Sequence, residues 1–384
     1  MKIVVIGWYG TETIGDRAIL AGLIKGFADT FGYFEVKLGS LYPFFTNRTV
    51  NEDYEFWKVL KGGELNIEIF DSSKLLQLTK AIQDSELVVM GGGPLMHISE
   101  LHMVEFAFKY AKKINRKTAV LGCGVGPIFN RRYHRALLNI IEESDLVILR
   151  DSASLRQLRD VASLNNINIK KQVALSLDPA VIACDNFNNN VDKGRLIDQN
   201  TICINLRSFS SGYSKVAEAD LINEKLSEFV SKISVSNPDK EIKLMPMHYF
   251  HIGDDDRIFL NKIQSKVDAE NITVQNHPLS LYKTIDAFSD AGTNYGMRFH
   301  SVVFQTLVSG NNYILDYTEP RKGKVSGFIH DIDKIKFYSG RYVNLQIRDA
   351  TIKFDQDKSD HFKVDGFVLK SALDIYVERL CGLF

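Results

Sequence analysis

Three observations predict an α/β fold with two parallel-sheet domains. Short apolar runs alternate with longer amphipathic stretches along most of the chain, as expected of buried parallel strands flanked by helices. Several of those runs end in glycine-rich or Arg-Asp turns, which places loops at the carboxyl ends of strands. A polar, aperiodic segment at residues 185–200, DNFNNNVDKGRLIDQN, separates two such blocks. The chain has 384 residues, and at about 100 to 200 residues per domain that suits two domains, each with its own core.

The elements follow in order. Residues 2–6 form a continuous apolar strand, 7–15 a glycine-punctuated turn, and 16–27 a helix with Ala18, Leu20, Leu23, Ile24 and Phe27 at helical spacing. The unit returns at 87–90 followed by Gly91-Gly92-Gly93, at 118–121 followed by Gly122-Cys123-Gly124-Val125-Gly126-Pro127, and at 146–149 followed by Arg150-Asp151. Beyond the polar segment, strands are expected at 201–206, 242–246 and 272–274, with helices at 219–233, 256–267 and 301–308. Residues 366–380 carry helical periodicity and are free to pack on either domain. The expected division is 1–184, a linker at 185–200, a second domain at 201–365 and a terminal helix at 366–384. In open parallel sheets the ligand crevice lies outside the carboxyl ends of the strands, where all these turns fall.

Composition narrows the function. Forty-seven Lys and Arg balance 47 Asp and Glu, which argues against a nucleic-acid binder relying on bulk charge. No apolar run approaches the roughly 18 residues of a membrane span, and the start MKIVVIGWYG lacks a secretory leader, so a cytoplasmic protein is expected. The scattered Cys123, Cys184, Cys203 and Cys381 read as reduced core residues, and no metal site is expected. In the aromatic-rich stretch 33–57, Tyr42, Phe44, Phe45, Tyr54 and Phe56 suit a packed loop by default; sugar stacking and contact with the inner face of a membrane are the other readings.

The glycine turn from Gly7 to Asp16 is too long for a dinucleotide fingerprint, and no Walker lysine follows it. Asp16 is either a helix cap or a ligand contact. Gly92 and Gly93 offer bare backbone to a close-approaching ligand or chain. His97 and His102 beyond them are surface histidines by default. Arg150 leaves a buried strand and needs an anionic partner, either Asp151 or a bound phosphate. Arg207 ends the first strand of the second domain in the same way, and two such arginines facing an interdomain cleft would suit a substrate with more than one negative charge. Arg298 and His300, two apart before a helix, can hold an anion and supply a proton; the plain alternative is an ion-paired arginine and a capping histidine. Arg321, Lys322 and Lys324 concentrate charge in a loop that would ordinarily be a solvated turn. His248 ends a strand and can line a pocket. Asp254-Asp255-Asp256 resembles a metal run but starts a helix, where acidic residues favour the dipole.

Taken together, these segments resemble the polysaccharide pyruvyl transferase family. The pieces that carry the likeness are the turn ending in Gly15-Asp16, Gly91-Gly92-Gly93, Gly124-Val125-Gly126-Pro127, Leu149-Arg150-Asp151 with Ser154, Asp178-Pro179, and Met297-Arg298-Phe299-His300, in order over about the first 330 residues. The resemblance implies a fold similar to the two Rossmann-like domains of GT-B glycosyltransferases, with parallel sheets facing a central cleft. It implies transfer of a pyruvyl group from phosphoenolpyruvate to two hydroxyls of a sugar residue, giving a cyclic ketal and phosphate. Phosphoenolpyruvate is then the donor substrate, with no separate cofactor, and the partner is a saccharide acceptor, lipid-linked or free.

By motif, donor binding falls to Arg150, Arg298 and His300, with Arg207 and Arg321 at further cationic positions. His300 is the expected acid at the donor's methylene carbon, Arg298 steadies the departing phosphate, and Asp16 is the expected base, with His97 second. Family members usually have Asn where this chain has Thr13. A GT-B glycosyltransferase using a nucleotide sugar, and a saccharide- or anion-binding module without turnover, are the competing readings.

Overall fold

The computed structural model describes residues 1–190, 197–209, 216–250, 252, 254–347, 351–354 and 360–384. The chain divides into two compact units, Met1–Ala183 with Gly366–Phe384, and Cys184–Asp365.

The first unit holds a seven-stranded, all-parallel sheet of order β3-β2-β1-β4-β5-β6-β7. Its strands are β1 (Lys2–Ile6), β2 (Glu35–Ser40), β3 (Asn66–Asp71), β4 (Leu87–Met90), β5 (Lys117–Cys123), β6 (Leu146–Leu149) and β7 (Val173–Leu175). The helices α1 (Ile14–Phe31), α2 (Pro43–Lys61), α3 (Leu75–Gln83), α4 (Leu101–Lys113), α5 (Arg131–Glu143) and α6 (Ser152–Leu164) connect them. Ile3 to Ile6 and Leu87 to Met90 are wholly buried, because parallel strands with helices on both faces must be apolar throughout. Helix α7 (Ala180–Asn190) leads out of this unit.

The second unit repeats the plan with six parallel strands in the order β10-β9-β8-β11-β12-β13. They are β8 (Asp198–Asn205), β9 (Glu241–Leu244), β10 (Ile272–Val274), β11 (Ala291–Gly296), β12 (Asn312–Asp316) and β13 (Tyr342–Asn344). The helices are α8 (Val216–Ser236), α9 (Asp256–Val267), α10 (Leu281–Asp290), α11 (Phe299–Val308) and α12 (Lys324–Ile332). Strand order reverses between β1 and β4 in one unit and between β8 and β11 in the other, and such switch points open a crevice at the carboxyl ends. The terminal helix α13 (Gly366–Cys381) belongs to the first unit, where Tyr376 donates to the Leu177 carbonyl at 2.7 Å.

Three sequence expectations change. The polar stretch 185–200 is not a plain linker: α7 runs through Asn190 and β8 starts at Asp198, while residues 191–196 lie outside the described residues. The aromatic stretch 33–57 is strand β2 and most of helix α2 rather than a loop. In α2 the buried positions are Thr46, Thr49, Asp53, Trp57 and Leu60, helically spaced but half polar, and Phe44 stays 80% exposed. Of the cysteines only Cys123, Cys184 and Cys203 are buried; Cys381 is exposed. No described helix is long and apolar enough to cross a membrane.

Candidate functional site

The second unit gathers cations at the carboxyl ends of its central strands. Asn205, the last residue of β8, is wholly buried. Its amide donates to the Met245 carbonyl at 2.7 Å, and its Oδ1 accepts from the Arg298 backbone N–H at 2.9 Å and the Ser301 hydroxyl at 2.7 Å. One side chain thus fixes the start of α11 against β8 and β9. Arg298 is the N-cap of α11, so His300 lies in the first turn, where backbone N–H groups and the positive end of the dipole favour an anion.

The three consecutive aspartates each take an arginine. Asp256 accepts from Arg298 Nε at 2.8 and 3.0 Å and from Nη2, and its Oδ2 also accepts the N–H of Met247 and of His248. Asp254 accepts from Arg207 Nη2 at 3.2 Å, and Asp255 caps α9 and holds Arg257. Among the described residues no cluster of three or more His, Cys, Asp or Glu is disposed to hold a metal. Arg298 Nη1 makes no hydrogen bond among the described residues and is available to a ligand.

Tyr317, just past β12, completes the group. The Arg207 guanidinium lies 5.3 Å from its ring centroid, and the Lys324 ammonium lies 5.7 Å from the same ring. Burial pushes the Tyr317 phenol up, but Lys324, Arg207 and Arg298 outweigh it and hold it at about 8, below the ordinary tyrosine value. Three cations here face two carboxylates, Asp254 and Asp256, which leaves positive potential beside the amino terminus of α11. His300 is half-buried, its ring edge-on to Phe299 at 5.0 Å.

Arg207, Arg298 and His300, expected from the sequence as site residues, come together here, and the loop cation that joins them is a different one from the expected Arg321. Arg321 is solvent-exposed, with φ of 64°, whereas Lys324, the first residue of α12, is the one that meets Tyr317. His248 is buried, with its backbone N–H donating to Asp256 Oδ2 at 3.1 Å, so it supports Arg298's partner. Lys324, Tyr317 and Asp256 were not singled out as site residues. Only the three cations between Arg321 and Lys324 gave a signal, and it did not say which one turns inward.

In the first unit the motif residues bind one another. Arg150 is 3% exposed, 3.3 Å from Asp151 and 3.1 Å from Asp178, and a Cβ on Gly124 would stand 2.6 Å from its Nη2. Burial would push this guanidinium down, yet the two carboxylates prevail and raise it. Asp151 caps α6 by accepting the Ser154 N–H at 2.6 Å, and the Ser154 hydroxyl accepts the Val125 N–H at 3.1 Å. In this structure Arg150 is partnered by protein carboxylates, and these contacts hold β6, the Gly124-Val125-Gly126 turn and the Asp178 segment together.

Gly92 and Gly93 are likewise covered by chain. A Cβ on Gly93, whose φ is +70°, would stand 2.5 Å from Trp8 Cδ1, and one on Gly92 3.2 Å from Tyr9 Cζ. The Trp8 indole donates to the Pro94 carbonyl at 3.0 Å and the Tyr9 hydroxyl to the Gly91 carbonyl. These two aromatics make the close approach that Gly92 and Gly93 permit.

Asp16 is not the cap of α1; it sits in the first turn and accepts from the hydroxyl of Thr13, the N-cap residue. His97 stacks on Tyr133 with centroids 3.9 Å apart and accepts the Phe129 N–H at Nδ1. A small recess beside Asp16 holds Glu12, at φ of 65°, whose Oε2 receives Arg48 while its Oε1 is buried with no hydrogen-bond partner among the described residues. The Trp57 indole N–H, lining the same recess, is also buried with no hydrogen-bond partner among the described residues.

A sequence model of the polysaccharide pyruvyl transferase family matches residues 14–304. The chain belongs to the polysaccharide pyruvyl transferase family. No curated protein matches it in sequence. Among solved structures, it is similar to UDP-GlcNAc 2-epimerase from Neisseria meningitidis bound to UDP-GlcNAc, with TM-score 0.56, 10% identity and all of both chains covered. The S. aureus MnaA–UDP complex gives TM-score 0.53 at 13% identity, covering 100% of this chain and 90% of that one. An alpha-glucosyltransferase in complex with UDP-glucose and DNA gives 0.50 at 12%, covering 100% and 94%. At these identities the likeness is one of fold: two parallel-sheet α/β units of the kind shared by GT-B glycosyltransferases and epimerases. The family match spans Arg150, Arg207 and Arg298, whereas Tyr317 and Lys324 lie beyond its end at residue 304.

Proposed function

We propose that this chain transfers a pyruvyl group from phosphoenolpyruvate to two hydroxyls of one sugar residue of a saccharide acceptor. The observation that carries the reading is the convergence of Arg207, Arg298 and Lys324 at the start of α11, with His300 in the adjoining turn. Phosphoenolpyruvate presents a phosphate and a carboxylate, and guanidinium forks suit both. Family membership supports a transferase of polysaccharide biosynthesis.

In the proposed reaction His300, as imidazolium, gives a proton to the methylene carbon of the donor while a sugar hydroxyl attacks the adjacent carbon. A carbon–oxygen bond forms and the double bond becomes a methyl group. A second hydroxyl then forms its own bond to the same carbon as the bond to phosphate breaks, and the released phosphate carries away the electron pair; of the two protons the hydroxyls lose, one restores the His300 imidazolium and the other leaves on the phosphate. The Arg298 fork, held by Asp256, stabilises the charge that develops on the leaving phosphate. Asp16 and His97 are engaged by Thr13 and by Tyr133 with Phe129, and the base is assigned to neither.

The test is incubation with phosphoenolpyruvate and a panel of saccharides, following phosphate release and acetal-linked pyruvate. Arg298→Ala and His300→Ala should each abolish the product; activity that persists in both would remove the site assignment. The nucleotide-sugar reading, suggested by the uridine nucleotides in the similar structures, predicts thermal stabilisation by a nucleoside diphosphate and none by phosphoenolpyruvate.

A further inference from the structure

We propose that the recess beside Asp16 is a binding pocket for a single sugar hydroxyl, which donates to Glu12 Oε1 and accepts from the Trp57 indole N–H. The inference rests on reading the second substrate as a saccharide.

The recess follows β1, at the point where the strand order of the first sheet reverses and where open parallel sheets place their ligands. Its walls are the turn after β1, the first turn of α1 and the inward face of α2, which brings Thr46, Thr49 and Trp57. The two threonines are satisfied within the chain: the Thr46 hydroxyl lies 2.6 Å from the Ser40 hydroxyl, and that of Thr49 donates to the Thr46 carbonyl at 3.1 Å. Glu12 and Trp57 are not. The Glu12 side chain and Trp57 are each 1% exposed, and Glu12 Oε1 and the Trp57 N–H have no hydrogen-bond partner among the described residues. Burying a carboxylate oxygen and an indole N–H without partners is costly, so both call for a group from outside the chain.

The chemistry of the two atoms selects the occupant. A carboxylate oxygen only accepts and an indole N–H only donates, so the group between them must do both. An ammonium only donates. A carboxylate or phosphate only accepts, and here it would meet the carboxylates of Glu12, Asp16, Glu52 and Asp53, which outnumber Arg17 and Arg48. A cavity volume of about 20 Å³ holds one water-sized group, so a hydroxyl fits where an amide does not. Trp8 and Tyr9 add aromatic surface to the lining, suited to the C–H faces of a sugar. An internal water has the same donor and acceptor capacity. The half-exposed Gly10 and Thr13 in the lining, together with the place at the strand switch, favour a hydroxyl arriving from solvent on a ligand.

Trp8 and Trp57 are the two tryptophans of the chain, and the Trp8 N–H is already bonded to the Pro94 carbonyl, so nitrogen-15 indole spectra of the full chain read the recess directly. The probes are the methyl glycosides of glucose, galactose, mannose, N-acetylglucosamine and N-acetylmannosamine, with sulfate as the anion control. At least one glycoside should shift the Trp57 resonance, assigned by its loss in Trp57→Phe, and sulfate should leave it in place. Saturation transfer to that glycoside then gives its dissociation constant, which should rise about fivefold in Trp57→Phe and in Glu12→Gln, the scale of one hydrogen bond, with circular dichroism unchanged in at least one of them. If no glycoside moves the Trp57 resonance, or if both variants bind the glycoside as tightly as the unsubstituted protein, the recess holds an internal water only and the inference is overturned. Glycoside binding that depends on Trp57 in a protein that makes no pyruvylated product would sustain the inference while removing the pyruvyl transfer reading. Pyruvylation of a glycoside with an unchanged KM in both variants would do the reverse.

Discussion

Arg298 and Asp256 form a two-pronged ion pair at the carboxyl end of the second sheet, and the same Asp256 carboxylate accepts two backbone N–H groups from the turn after β9. The aspartate side chain is 1% exposed and the arginine 14%, so the pair fixes the direction of the guanidinium at the mouth of the site. Asp256→Ala leaves the arginine and both N–H groups without their acceptor and should cost about 3 kcal/mol in a denaturant titration. Asp256→Asn keeps a carbonyl acceptor for the turn, so it should lose less stability while raising the KM for phosphoenolpyruvate more than tenfold.

Arg150 provides the opposite case. Removing it strands Asp151 and Asp178 in the interior. Arg150→Met should destabilise the protein by about 3–5 kcal/mol, measured by thermal or chemical unfolding. The fraction that stays folded should bind phosphoenolpyruvate as the unsubstituted protein does. A large loss of donor affinity at unchanged stability would restore this residue to the binding site.

The loop of three cations separates its members. Lys324→Met removes the ammonium beside Tyr317 and should weaken phosphoenolpyruvate binding about tenfold or more, the scale of a charge-assisted hydrogen bond. Arg321→Met, at an exposed position, should stay within twofold. Parallel binding curves decide between them.

Thiol chemistry tests the cores. Burial pushes the Cys123 and Cys203 thiols up to about 12, and Cys184 is also buried. Native protein should therefore titrate one fast-reacting thiol, Cys381, and denatured protein all four.

Much of the first unit is legible because its central strands, such as residues 87–90, are unbroken apolar runs that only a doubly covered sheet accommodates. Strand β11, AGTNYG, carries almost no such signal. Its Asn294 is buried because its amide donates to the Phe288 carbonyl at 3.0 Å, a partner no periodicity reveals. Helix α2 is hidden for a related reason, since Thr46, Thr49 and Asp53 occupy its inward face where apolar residues would be sought.

Arg298 and His300 are readable from the sequence as a candidate pair because both residues lie in one short motif. Its supports were not, since Asp256 lies 42 residues away in sequence and meets Arg298 only through the sheet. The glycine and Arg-Asp motifs of the first unit look the same in sequence whether a ligand or the chain itself fills them. Trp8, Tyr9 and the Arg150 carboxylates fill them here.

The position of phosphoenolpyruvate in a crystal of the complex tests the central claim most directly. Its phosphate and carboxylate oxygens should lie within hydrogen-bond distance of Arg207, Arg298 and Lys324, with the methylene carbon nearest His300. A donor found against Arg150, or touching none of those three side chains, would contradict that placement.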